Sequence, residues 1–185
     1  MQSVARYAAF VQPMHHVNLL SYHAFGSWLP GRKQGYFRNK SGIRPTNPAA
    51  ADWYRHVQHR ESESFVTAVQ QCMIDACEEA EIYQRFELYG VATDPSHLHV
   101  LVAWDDDRLP SQMRRNLKQS LTRNLNQTFC HRQWFSRGGN DRRVRDRDHF
   151  LYSRDEYLPD HPGWKWDRRI GKYVQERSLL HLRLS

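Results

Sequence analysis

Cysteine is scarce: the 185 residues hold three, Cys72, Cys77 and Cys130, with no Cys-x-x-Cys pair. An odd and scattered set excludes a disulfide framework and a zinc knuckle, and it fits a reducing compartment. Long apolar runs are missing as well. No stretch approaches the roughly 18 consecutive apolar residues of a membrane span, and the opening MQSVARYAAFVQPMHH lacks the sustained apolar region and small-residue cleavage site of an export signal. The expectation is a cytoplasmic protein. No internal repeat or low-complexity segment appears. Acidic residues are the minority charge, 20 Asp and Glu against 27 Lys and Arg, for a formal net charge of +7 and a pI near 9.5. Such a surplus is the usual footprint of a phosphate-rich partner, which makes nucleic acid the first partner to consider. The length suits one full core, so residues 1–185 are read as a single domain.

What is present is an alternation of strand-like and helix-like patterns. HHVNLLSYHAFGSWLPG holds an apolar, aromatic-rich run ended by Pro30 and Gly31, which predicts a first strand over 16–25. Residues 32–48 mix Gly, Pro, Asn and basic residues without either period and read as a surface loop. From Ser62, the residues Phe65, Val66, Val69, Cys72, Met73, Ala76, Cys77 and Ala80 recur at three- and four-residue steps, which predicts an amphipathic helix packed on a sheet. RFELYGVAT (85–93) and HLHVLVAW (97–104) flank the turn residues Asp94, Pro95 and Ser96 and read as an antiparallel hairpin. A second helix, N-capped by Ser111, carries Met113, Leu117, Leu121 and Leu125 at four-residue intervals. A basic connection (131–147), a short strand, helical material stopped by Pro159, Pro162 and Gly163, and an extension over 167–185 complete the chain. Trp164 and Trp166 alternate as core residues would. This order predicts an α+β fold, close to a ferredoxin-like plan: an antiparallel sheet with helices packed mainly on one face.

The chemistry centres on DPSHLHVLV (94–102). Successive strand side chains alternate faces, so His97 and His99 point one way while Leu98, Val100, Val102 and Trp104 point the other. Two imidazoles at i and i+2 lie close enough to hold one divalent cation. Taken alone, the tripeptide favours the plainer reading, one histidine a satisfied polar residue at a strand edge and the other exposed. In DEYLPDH, Tyr157 and His161 are four apart and share a face if the segment is helical. A tyrosine can attack phosphorus, provided a metal polarises the phosphoryl oxygen and offsets the phenol's usual pKa near 10. Tyr152, with Glu156 four residues on, is the rival nucleophile. The spacing of His15, His16, His23 and His149 forms no recognisable site, and these are read as surface or strand-edge residues.

The chain resembles the single-tyrosine HUH transposases, including the REP-associated tyrosine transposases of bacteria. The residues that carry the likeness run from HHVNLLSYHAFGSWLPG through GVATDPSHLHVLVAW, QMRRNLKQSLTRNL and WFSRGG to EYLPDHPGWKW. The family's His-hydrophobic-His motif, which binds a catalytic Mg²⁺ or Mn²⁺, is matched by His97, Leu98 and His99. Its nucleophilic tyrosine lies on a later helix, followed one turn on by a polar third ligand; by position these roles fall on Tyr157 and His161. The third ligand is more often an amide in the family, so His161 is a departure. The resemblance implies cleavage and rejoining of single-stranded DNA at hairpin-flanked sites through a 5′-phosphotyrosine and a nucleoid-associated location in a bacterial cytoplasm; many members of that family act as homodimers.

Composition fits the basic connection equally to a DNA-contacting segment and to a solvated charged loop. Arg132, Arg137, Arg142, Arg143, Arg145 and Arg147 surround Trp134, Phe135 and two glycines, offering phosphate contacts and stacking surfaces. Arg114, Arg115 and Lys118 on the second helix extend that track. Other paired-histidine phosphoesterases fit poorly. A histidine-triad enzyme wants a third His where Leu101 stands, and a two-histidine phosphoesterase wants a hydroxyl at position 99 and a second copy of the motif. The remaining alternative is a non-catalytic or domesticated module that binds structured nucleic acid.

Overall fold

The computed structural model describes residues 16–27, 36–38, 42–47, 49 and 64–175, with the backbone alone at 36–38 and 42–44. His15, Ser62, much of the 32–48 segment and residues 176–185 lie outside the described residues. In chain order the elements are β1 (His16–His23), β2 (Tyr36–Arg38), β3 (Gly42–Arg44), α1 (Thr67–Gln84), β4 (Glu87–Thr93), β5 (His97–Trp104), α2 (Pro110–Thr128), β6 (Asn140–Arg143), α3 (Arg147–Tyr152), β7 (Lys165–Asp167) and β8 (Gly171–Tyr173). α3 runs directly into a π-helical turn, Ser153–Tyr157.

β6, β1, β5, β4, β7 and β8 lie side by side in that order in one sheet, every neighbouring pair antiparallel. The first four make the ferredoxin-like order expected of this element sequence, and β7–β8 adds a hairpin at the β4 edge. The architecture is α+β, with helices packed on the sheet.

The strand alternation divides the interior in two. Leu20, Tyr22, Leu98, Val100, Val102 and Trp104 point to one face, where they meet α1 through Val69, Met73, Ala76 and Cys77 and α2 through Met113, Leu117, Leu121 and Leu125. The four-residue stripe on α2 is fully buried, as its spacing requires. The opposite face has a smaller cluster, Leu19, Ala92, Leu101, Val144, Phe150 and Leu158, covered by α3 and the π turn.

Several boundaries differ from the sequence reading. β2 and β3 form a separate two-stranded hairpin within the stretch expected to be loop, where β-prone Tyr36, Phe37 and Ile43 stand on either side of a polar link. α1 starts at Thr67, five residues after Ser62; Phe65 is buried in the approach to the helix, and Val66 is exposed. Ser111 does not cap α2. The helix begins one residue earlier with Pro110 at its first position, and the Gln112 side-chain oxygen accepts the Leu109 N–H at 2.8 Å. The C-terminal extension is not wholly separate from the sheet, since Gly171–Tyr173 pairs with β7.

Candidate active site

The turn before β5 is built by one carboxylate. Asp94 Oδ1 accepts the backbone N–H groups of Ser96 and His97 at 2.6 and 2.7 Å, and the Ser96 hydroxyl at 3.0 Å. This Asx-type turn launches β5 with His97 and His99 on one side. Their rings lie 5.9 Å apart between centroids and 8° from parallel. Burial disfavours the Asp94 anion, but the hydrogen bonds from His97 and Ser96 outweigh it and hold its pKa well below the usual carboxylate range.

A third imidazole and a phenol arrive from the other side of the chain. The π turn, marked by the Leu158 N–H donating to the Ser153 carbonyl at 3.0 Å, carries Tyr157 at its end. A π turn inserts an extra residue into the helical path, and such turns recur at functional sites. Tyr157 lies 5.4 Å from His99 and 4.9 Å from His161 between ring centroids, and His161 lies 4.5 Å from His99. Tyr152 is on α3, half exposed, 6.5 Å from Tyr157. Pro159 and Pro162 do not keep Tyr157 and His161 apart: the His161 Nδ1–H donates to the Tyr157 carbonyl at 2.9 Å, closing one turn.

In each of the three imidazoles Nδ1 is engaged. Nδ1 of His97 lies 2.6 Å from Ser96 Oγ, whose proton goes to Asp94, so the hydroxyl accepts from the ring. Nδ1 of His99 lies 2.8 Å from Ser21 Oγ on β1. Where Nδ1 donates, as in His97 and His161, Nε2 carries the lone pair, which is how supporting groups orient histidine ligands. His99 is 7% exposed, and burial, reinforced by the neighbouring His161 and His97, pushes its pKa down to about 3. It is therefore neutral near pH 7 and able to donate a lone pair. Burial raises the Tyr157 pKa; Tyr152 and Asp94 add to this, while the Arg142 charge works against it.

The donor chemistry fits a divalent transition ion better than Mg²⁺, since Mg²⁺ prefers oxygen and imidazole suits the later first-row metals. Among the described residues, no group of three or more His, Cys, Asp or Glu side chains is placed so that it could hold a metal ion. His99 is the shared neighbour: its ring lies 5.9 Å from that of His97 and 4.5 Å from that of His161, between centroids.

The predicted DNA contacts separate. Trp134 is 1% exposed, its indole N–H donates to Asn126 Oδ1 at 2.9 Å, and Phe135 is buried beside it. Neither can stack on a base, and the aromatics of the basic connection anchor it to the core instead. Arg132 lies over the Trp134 ring at 3.7 Å. Arg114 pairs with Asp141 at 3.1 Å, and Lys118 donates to the Ser136 carbonyl, so both tie α2 to the connection. Gly139 sits where a Cβ would strike the Ser21 carbonyl and the Arg114 side chain, at a φ of +144°. Arg115, Arg137, Arg142, Arg143 and Arg145 are exposed. On β6, Arg142 pairs with Leu19 and faces the histidine side; Arg143 pairs with Asn18 and faces the helix side.

The sequence reading missed Ser21 and His23. The His23 ring packs against His97 at 4.6 Å, so it is a wall of the site rather than a strand-edge bystander. The signal lies in the pairing of β1 with β5, which sets Ser21 opposite His99 and His23 opposite His97.

No protein-family model matches the sequence, and no curated protein matches it. Among solved structures, a REP-associated tyrosine transposase bound to a REP hairpin is similar, with a TM-score of 0.46 and 13% identity. The match covers 78% of this chain and 64% of that one. A likeness of that size assigns no role to any residue. Among the described residues no helix is long and apolar enough to cross a membrane.

Proposed function

We propose that the chain is a metal-dependent, single-stranded DNA transposase or endonuclease. On this reading it cleaves and rejoins hairpin-flanked DNA through a 5′-phosphotyrosine on Tyr157, with His97, His99 and His161 holding Mn²⁺ or Mg²⁺. The observation that carries the reading is the meeting of Tyr157, His161 and His99 within 5.4 Å of one another, between ring centroids, beside His97 on one face of the sheet.

Tyr157 would attack the scissile phosphorus, forming a bond from its phenolic oxygen while the bond to the 3′ oxygen breaks. The phenol's proton is lost to solvent and the departing oxygen takes one up as a 3′-OH. A divalent cation bound there supplies polarisation of the phosphoryl oxygens and favours the phenolate. His161 ties the backbone of Tyr157 to the ligand cluster, and Arg142 brings positive charge to the same face. Arg115, Arg137, Arg143 and Arg145 would hold phosphates along the strand. Attack by a 3′-OH on the phosphotyrosine reverses the step and needs no nucleotide cofactor. A nucleoid-associated bacterial setting and a homodimer accompany this reading.

The test is to incubate the protein with labelled single-stranded hairpins drawn from repeats flanking its coding sequence, with Mn²⁺ or with chelator. A denaturation-resistant adduct that needs the metal is expected. Tight hairpin binding with no adduct under any metal would favour the non-catalytic module.

A further inference from the structure

We propose that Lys165 is a positioning residue: from the centre of β7 it holds the loop carrying His161 against the sheet, so that His161 meets His99. The inference rests on reading His161 as a metal ligand.

Lys165 pairs with Ala92 on β4, and Ala92 pairs with His99 on β5. Directly paired residues share a face, so His99, Ala92 and Lys165 form one row across the sheet on the candidate-site side. Trp164 and Trp166, which flank Lys165 in sequence, pack against the core on the opposite side. Lys165 is 0% exposed. Lysine is almost never fully buried without a partner, because its ammonium loses its hydration, and an apolar side chain would fill the space with no such cost. The charge at this position therefore calls for a purpose.

Its partners lie in the loop between the π turn and β7. Nζ donates to the Gly163 carbonyl at 3.0 Å, two residues beyond His161, and sits 5.7 Å from the centre of the Tyr173 ring on β8. Burial lowers the Lys165 pKa, and Asp160, next to His161 in sequence, works against that by favouring the ammonium. The same loop is pinned from below. The Gly163 N–H donates to the Thr93 carbonyl at 2.9 Å, and a Cβ at Gly163 would overlap that carbonyl. The Trp164 N–H donates to the buried Gln70 side chain at 3.0 Å. His161 is thus held between the Tyr157 carbonyl on one side and the Lys165–Gly163 clamp on the other. The β7–β8 hairpin, which lies beyond the four-strand ferredoxin-like order, supplies that clamp.

Co²⁺ serves as the probe, since its visible absorption reports the number and type of its ligands independently of catalysis. The wild-type chain is titrated alongside Lys165→Met, which keeps the length and removes the donor, and Lys165→Gln, which keeps a polar group without the charge. A folded variant of either kind is expected to bind Co²⁺ at least tenfold more weakly than wild type, with an altered spectrum and an undiminished melting temperature. In a His161→Ala background the same Lys165 substitution is expected to have no further effect on Co²⁺ affinity, because a positioning residue acts only through the group it positions. Affinity within twofold of wild type, or an equal loss in the His161→Ala background, would overturn the proposal. Should wild type itself bind no Co²⁺, the metal reading of His161 fails, and the proposal fails with it.

Discussion

The two faces of the sheet are made from the same strands and do different work. Toward α1 and α2, β1 and β5 present Leu20, Tyr22, Leu98, Val100, Val102 and Trp104, and the face is sealed by two long helices. Toward α3 they present Ser21, His23, His97 and His99, and the apolar cluster there is small, closed by one short helix and a π turn. The period of two along a strand lets residues one position apart serve stability and chemistry separately. A substitution on one face should therefore leave the other property almost untouched.

The largest expected effect that would break this division comes from pairing Tyr157→Phe with Leu117→Ala. Tyr157→Phe removes one hydroxyl from a half-buried ring; it should abolish the covalent adduct while changing stability by under about 1 kcal/mol. Leu117→Ala empties a fully buried site between α2 and the sheet and should cost about 2–5 kcal/mol, lowering adduct yield only through the fraction folded. Denaturant melts and adduct gels on the same samples measure both. If Leu117→Ala abolished the adduct in protein that is still folded, the faces would not be independent.

His99→Ala should remove Mn²⁺ binding measured by calorimetry yet leave hairpin affinity largely intact, because phosphate contacts supply most of it. Equal loss of both would make His99 a structural residue. In the same measurement wild type should bind Mn²⁺ at least about tenfold more tightly than Mg²⁺, as a nitrogen donor set implies. A preference for Mg²⁺ would point to oxygen ligands.

Arg142 and Arg143 sharpen the comparison within one strand. Each to Ala should reduce the slope of log affinity against log salt by about one if it contacts a phosphate. Arg142→Ala should in addition slow adduct formation, since it faces Tyr157, and Arg143→Ala should not. The smallest effect is expected of Tyr152→Phe, which should leave adduct formation at the wild-type rate.

The features legible in the sequence were those set by local period. The HLHVLVAW alternation gave the two faces of β5 with its boundaries intact, and the α2 stripe gave its buried side. What stayed hidden depends on partners far along the chain. Ser21 becomes the neighbour of His99 only through pairing across 78 residues. Trp134 read as a stacking surface because its neighbours are basic, yet burial of a large indole outweighed its polar surroundings. Lys165, between two tryptophans, carries no sequence signal that it is buried. The helical spacing of Tyr157 and His161 anticipated their contact, but the π turn that brings Tyr157 to His99 has no pattern of its own.

The most direct test of the account is to map the covalent adduct by mass spectrometry. Wild-type protein is reacted with the hairpin and Mn²⁺, digested with protease and nuclease, and searched for a peptide carrying a nucleotide phosphate. The account predicts the modification on the phenol of Tyr157, and none in samples reacted with chelator. A nucleotide found on Tyr152, or on any residue outside the π turn, would contradict it.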